Sequence, residues 1–141
     1  MTPRGTKIIY NQEAFLRRSF FNTLKFSVEA FGYTEIVVPS LDFQENYKGM
    51  EHQMYAFKDK KGRDICLRPE VTKTIENWYK NTQNGRKDVK VWYFQPCFRY
   101  ERPQKGRQRE FWQFGVEWLN PSGNYECEIQ EEAKTLVSNG A

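Results

Sequence analysis

Histidine occurs once in the 141 residues, as His52, and cysteine three times, as Cys66, Cys97 and Cys127, none in CxxC spacing. A lone imidazole argues against a histidine-built metal cluster and against a Ser-His-Asp arrangement. An odd, scattered cysteine set suggests neither a disulfide framework nor a zinc site, and fits a reduced, cytoplasmic setting. No apolar run approaches membrane-spanning length and the amino terminus lacks an apolar signal segment, so a soluble protein without membrane contact is expected. Internal repeats, low-complexity tracts and linkers are also missing. Acids are only slightly outnumbered, 18 against 22 Lys and Arg; the net charge of +4 would assist polyanion binding without establishing it.

What the chain has is aromatic residues. At 16% they exceed a disordered composition, and the length suits one modest domain with a packed core. Thr2–Tyr10 reads as an extended arm. Asn11 is the expected N-cap of a helix with Glu13 in its first turn, and Phe21, Leu24, Val28 and Phe31 give it an apolar side. Gly32 stands at its C′ position. Tyr33–Val38 reads as a strand ending at Pro39, and Asp42–Gln53 as polar and irregular. Met54–Phe57 and Ile65–Leu67 flank Asp59-Lys60-Lys61-Gly62, which predicts a hairpin. Pro69 near N1 then starts a helix carrying Ile75, Trp78 and Tyr79, with Glu70 and Thr72 in its first turn. After Trp118, Asn120-Pro121-Ser122-Gly123 reads as a turn, and a last helix runs from about Tyr125 to Asn139-Gly140. The order predicts an α+β fold with a mixed, largely antiparallel sheet flanked by helices.

The stretch Cys97–Trp118, CFRYERPQKGRQREFWQFGVEW, organises the rest. Its second half alternates, with Phe111, Gln113, Gly115 and Glu117 on one face and Trp112, Phe114, Val116 and Trp118 on the other, expected to be the core face. In an antiparallel hairpin Arg99 shares the first face. A guanidinium, a carboxylate, an amide and one aromatic ring suit a ligand both anionic and planar, as a nucleotide is. Arg102, Lys105, Arg107 and Arg109 add donors able to follow a phosphate chain. A solvated strand face and a basic hairpin tip would look similar. Phe111 on the polar side, and Gly115 leaving a gap for a ligand, favour the binding reading.

The stretch FRYERPQKGRQREFWQFGVEW resembles motif 2 of class II aminoacyl-tRNA synthetases, and is most similar to the histidyl-tRNA synthetase family. Arg99, Glu101-Arg102-Pro103-Gln104, Gly106-Arg107, Phe111, Gln113-Phe114-Gly115 and Glu117 fall in register. Pro3-Arg4-Gly5-Thr6 resembles the family's PRGT signature, and Leu67-Arg68-Pro69-Glu70-Val71-Thr72 its LRPEGT. The helix, strand and proline at 11–39 resemble motif 1.

The resemblance implies a class II synthetase-like core and ATP-dependent activation of histidine, followed by transfer to tRNA(His). It implies Arg99 as the catalytic, α-phosphate arginine, Arg107 on the outer phosphates, Phe111 stacked on adenine and Glu101 accepting its amino group. Glu70, Thr72 and Gln113 would hold the substrate's amino end and Glu117 its imidazole. Gln113 and Glu117 lie roughly 7 and 20 Å along the strand from Phe111. Magnesium would accompany ATP, and a homodimer would form through 11–39. Only the amino-terminal part of the catalytic domain is matched. Motif 3, the two histidine-signature segments and the anticodon-binding domain have no counterpart in the 141 residues, so a fragment or split product, weak by itself, is expected. Val71 replaces a usual glycine and Trp112 a usual histidine. Two alternatives stand beside the ligase: a non-catalytic relative such as the regulatory subunit of ATP phosphoribosyltransferase, and a basic, aromatic-rich nucleic-acid module.

Overall fold

The computed structural model describes residues 1–104 and 108–122. The expected last helix from Tyr125 lies outside them. Two units are present: one from Met1–Lys7, Val37–Asn84 and Tyr93–Gly115, the other from Ile8–Ile36, Gly85–Trp92 and Val116 onward.

In the second unit the apolar spacing produces α1, Asn11–Ala30. Asn11 is not its cap: Tyr10 is extended at that position, and Asn11 is the first helical residue, with φ of 55°. Asparagine tolerates that region better than most side chains. The other end follows expectation. Gly32 has φ of 86°, and two bonds, Tyr33 N–H to Val28 O at 3.2 Å and Gly32 N–H to Glu29 O at 3.0 Å, close a Schellman motif. The strand expected over Tyr33–Val38 shortens to β1, Thr34–Glu35, which pairs in parallel with β5, Val89–Phe98, through Thr34 opposite Val91. Val28, Tyr33, Val91 and Trp92 are buried, and the Phe21 ring lies 5.9 Å from Trp92. Phe15, Leu16, Phe20 and Phe26 of α1 remain exposed.

The first unit contains a small antiparallel sheet in the order β2, β4, β3, from Leu41–Phe43, Asp64–Leu67 and Tyr55–Lys58. The hairpin expected around Gly62 is present, with Gly62 at φ of 80° and its N–H on Asp59 O at 2.9 Å. The stretch 42–53, expected to be irregular, instead contains part of β2 and two 3₁₀ turns, Gln44–Tyr47 and Glu51–Gln53. β2 exists because Leu41, Asp42 and Phe43 find Leu67, Cys66 and Ile65 across the chain, a pairing with no local periodicity. One face of this sheet carries Asp42 and Cys66, packed beneath Tyr47 and Met54.

That face titrates. Tyr47 Oη donates to Asp42 Oδ2 at 2.7 Å and lies 3.1 Å from Thr74 Oγ1. Burial, with Asp42 nearby, pushes the Tyr47 hydroxyl up and the Cys66 thiol to about 11. The folded state therefore holds the Cys66 proton more tightly than the unfolded chain does. Its contribution is complete below about pH 9 and is lost as pH rises towards 11. Urea midpoints should fall across that interval in the wild-type chain and fall less steeply in Cys66→Ala. Parallel profiles would contradict the assignment.

β6, Glu110–Leu119, is the other neighbour of β5. Contacts within the first unit run in opposite senses along the two strands, Tyr93 with Gly115, Cys97 with Gln113 and Arg99 with Phe111, as an antiparallel hairpin requires. Two expectations about β6 fail. Trp112 is half exposed rather than in a core, and lies 4.9 Å from the Phe94 ring. The gap beside Gly115 is filled: a Cβ there would collide with the ring and hydroxyl of Tyr93. That glycine serves packing, not ligand approach.

Candidate functional site

The site residues of the first unit gather where β4 leads into α2, Thr72–Thr82, beside the β5–β6 hairpin. Glu70 is not in the first turn: it precedes the helix, and Thr72 is the first helical residue. The reason is Arg68. Its backbone N–H bonds to Ser40 O at 2.9 Å, and its carbonyl accepts from Phe98 N–H at 3.0 Å, so residue 68 is tied between two segments and the chain bends at Pro69 before the helix begins. Its side chain is fully buried. Nη1 donates to the carbonyls of Val38, at 3.2 Å, and Pro39, and Nη2 to that of Pro96. Among the described residues Nε has no hydrogen-bond partner, and the guanidinium bonds to carbonyls and not to a carboxylate. The guanidinium is a fork that joins three carbonyls from two segments. Gln95 reinforces the junction: Val38 N–H donates to its Oε1 at 2.7 Å, and its Nε2 returns a bond to Val38 O at 2.8 Å.

Arg99 follows β5. Its Nε donates to Pro69 O at 3.0 Å, and its Cζ sits 5.2 Å from the centroid of the Phe111 ring. Among the described residues, no hydrogen bond or ion pair is recorded for its two Nη groups. The pair thus offers a flat ring with a cation over one face, and two donors for an anion. Cys97 lies between these parts and is fully buried. Its thiol donates to Gln113 Oε1 at 3.3 Å. Burial raises its pKa, while Arg68 and Arg99 pull it down and Glu70 pushes it up, which places those three charges around one sulfur. The thiol is therefore protonated near neutrality and orients the Gln113 amide with its NH2 directed elsewhere.

Glu101 is half-buried, and its carbonyl accepts from Arg109 Nε at 2.9 Å. The Arg109 guanidinium lies over the Tyr100 ring at 4.5 Å, so this arginine braces the loop and is not left to follow a phosphate chain. Arg102 is exposed. Lys105 and Arg107 lie outside the described residues. Glu117 falls on β6 in the second unit, half-buried. The structure therefore brings together Glu70, Arg99, Phe111 and Gln113, with Thr72 opening α2 next to Glu70. Among the described residues no group of three or more His, Cys, Asp or Glu is placed to hold a metal ion. Sequence reasoning missed Arg68, Cys97 and Gln95. The available signal was the polar residue within an apolar run: Arg68 after Ile65-Cys66-Leu67, and Gln95 within Val91–Phe98.

The Histidyl-tRNA synthetase family profile matches residues 5–139. A curated histidine–tRNA ligase of Archaeoglobus fulgidus is 44% identical over 123 residues, 83% of this chain and 30% of that protein. The apo histidyl-tRNA synthetase of S. aureus superposes with a TM-score of 0.77 at 31% identity, over 99% of this chain and 33% of that one. An ATP phosphoribosyltransferase regulatory subunit/histidyl-tRNA synthetase from Bacillus halodurans superposes at 0.86 with 18% identity, over 100% of this chain and 38% of that one, a likeness of fold. The chain spans about a third of the length of these relatives. Its fold is that of the class II synthetase core, and on the extent of the match the chain belongs to the histidyl-tRNA synthetase family.

Proposed function

We propose that this chain supplies the amino-terminal part of a histidine–tRNA ligase catalytic core, housing motifs 1 and 2. The observation that carries the reading is the Arg99–Phe111 pair, anchored through Pro69 beside Glu70. In the proposed reaction the carboxylate of histidine attacks the α-phosphate of ATP, and pyrophosphate leaves. Arg99, already fixed by the Pro69 carbonyl, neutralises charge building on the α-phosphate without reorganising. Adenine stacks on Phe111, with Glu101 accepting from its amino group and Arg107 meeting the outer phosphates. Glu70 and Thr72 take the α-ammonium, and Glu117 takes an imidazole N–H. Gln113 changes emphasis: with Oε1 already accepting from Cys97, its NH2 is the better placed half, which suits an acceptor such as the substrate carboxylate. The acyl group then passes to tRNA(His). Magnesium would arrive with the ATP phosphates and screen their charge. The exposed Phe15, Leu16, Phe20 and Phe26 of α1 support a homodimer through 11–39. Among the described residues no helix is long and apolar enough to cross a membrane, in keeping with a cytoplasmic setting.

ATP–pyrophosphate exchange with each common amino acid tests the reading, with this chain alone and then supplemented by the remaining two thirds of a histidyl synthetase. Histidine-dependent exchange in the supplemented mixture, and little from the chain alone, is expected. Exchange absent from both mixtures while ATP still binds would favour a ligand-sensing relative of the regulatory-subunit kind.

A further inference from the structure

The Pro3–Thr6 turn is a signature of the sequence that the chemistry above leaves unused. Thr6 closes it, with its N–H on Pro3 O at 3.1 Å and its hydroxyl on the same oxygen at 2.5 Å. Gly5, at φ of 81°, directs its carbonyl at two consecutive amides, Arg109 N–H at 2.8 Å and Glu110 N–H at 3.2 Å. The space a Cβ would occupy on Gly5 is taken by the Arg109 side chain: Cγ would lie 2.6 Å away, and Cβ and Cδ 2.9 Å. Arg109 in turn holds the strand ends that carry the candidate nucleotide residues. Its carbonyl accepts from Arg99 N–H at 2.9 Å, its Nε donates to Glu101 O at 2.9 Å, and its guanidinium lies over Tyr100. Tyr100 N–H is itself fixed on Gln53 O at 2.7 Å.

We propose that the Pro3–Thr6 turn is a latch that positions Arg99 and Glu101 for the nucleotide through Gly5 and Arg109. The proposal rests on the nucleotide reading of this hairpin. Gly5 and Arg109 are positioning residues: neither needs to touch the ligand. A free turn would still leave the ends of β5 and β6 linked by the Arg99–Arg109 bond, the Glu101 contact and the Arg109 guanidinium over Tyr100, but would release Arg109 and Glu110 from Gly5. With the turn docked, two further backbone bonds tie the β6 end, at Arg109 and Glu110, to Gly5. A glycine is required twice over, by its positive φ and by the seat that Arg109 fills. Glu70 and Thr72 take their places from Arg68 and the start of α2, neither of which the turn bonds to, so the latch acts on ATP before the amino acid.

The test compares the full chain with Gly5→Val, which collides with Arg109, and with a deletion of residues 1–6, which removes the latch without a collision. ATP and histidine affinities are measured by titration calorimetry, folding by thermal midpoint, and the Arg109 and Glu110 amides by hydrogen exchange. Both variants should lose protection at those two amides and bind ATP about tenfold more weakly, with histidine affinity within about twofold of wild type. The thermal midpoint should hold, because the turn is a surface element. Lost protection with unchanged ATP affinity, or equal losses for ATP and histidine, would overturn the latch. Failure of the wild-type chain to bind ATP would overturn the nucleotide reading itself and the latch with it.

Discussion

Arg68→Ala should lower the unfolding free energy by about 3–5 kcal/mol, the largest stability loss expected of any single substitution in the first unit. The side chain is fully buried and serves the carbonyls of Val38, Pro39 and Pro96. The Val38 carbonyl keeps Gln95 Nε2, but those of Pro39 and Pro96 lose the fork, at about 1–3 kcal/mol for each carbonyl left without a donor in a dry site, not additively, and an emptied guanidinium pocket adds a cavity. Arg68→Lys should recover little, since an ammonium is a point donor that cannot span carbonyls from two segments. The control is Arg63→Ala. That exposed guanidinium pairs with Asp59 at 2.6 Å, with 62% of its own side chain in solvent, and should change stability by no more than about 0.5 kcal/mol. Urea unfolding of the three variants decides the matter. A loss under about 1 kcal/mol in Arg68→Ala would mean that water replaces the fork, and that residues 68–70 are held in place by their backbone bonds alone.

Arg99→Ala should weaken ATP binding by about 10²-fold or more, through loss of charge-assisted bonds to phosphate. Phe111→Ala removes the stacking surface, for which about 1–3 kcal/mol is expected, or roughly 5- to 150-fold in affinity. The two should not add. The ring lies 5.2 Å from the guanidinium carbon and helps hold it, so each single substitution already takes part of the other's contribution. Titration of ATP against both single variants and the double variant measures the coupling. A coupling energy near zero would mean that the Pro69 carbonyl alone orients Arg99. Undiminished binding in Arg99→Ala would move the anion site elsewhere.

Local signals were legible wherever a neighbouring residue sufficed to read them. The Schellman end at Gly32, the Gly62 turn and the existence of the β6 strand each depend on a few adjacent residues, and each was recovered. What escaped was set by partners far along the chain. β2 forms because β4 passes beside it, with Asp42 opposite Cys66. The strand after α1 stops ladder pairing at Glu35, and by Val38 the chain bonds to a side chain instead. Glu70 stays out of α2 because Arg68 ties its segment to Ser40 and Phe98. Trp112 and Gly115 fail for one reason: alternation assigns faces but not what lies opposite each face. The site was legible as a set of residue types in motif register, while the parts that hold it, Arg68, Cys97 and Gly5 with Arg109, were not.

The exchange between Gln95 and Val38 has a further consequence. A carboxamide is chemically a peptide group, and here it offers one acceptor and one donor to a single residue, as a neighbouring strand would. The main chain can thus depart from the sheet at this point with both of its polar groups still answered, and an imino acid can follow at Pro39 although it could not continue a ladder. Glutamate has the same shape but no donor, and leucine the same bulk but neither function. Position 95 therefore admits almost no drift, for a reason unrelated to any ligand, and invariance there among relatives would be a mark of architecture and not of catalysis.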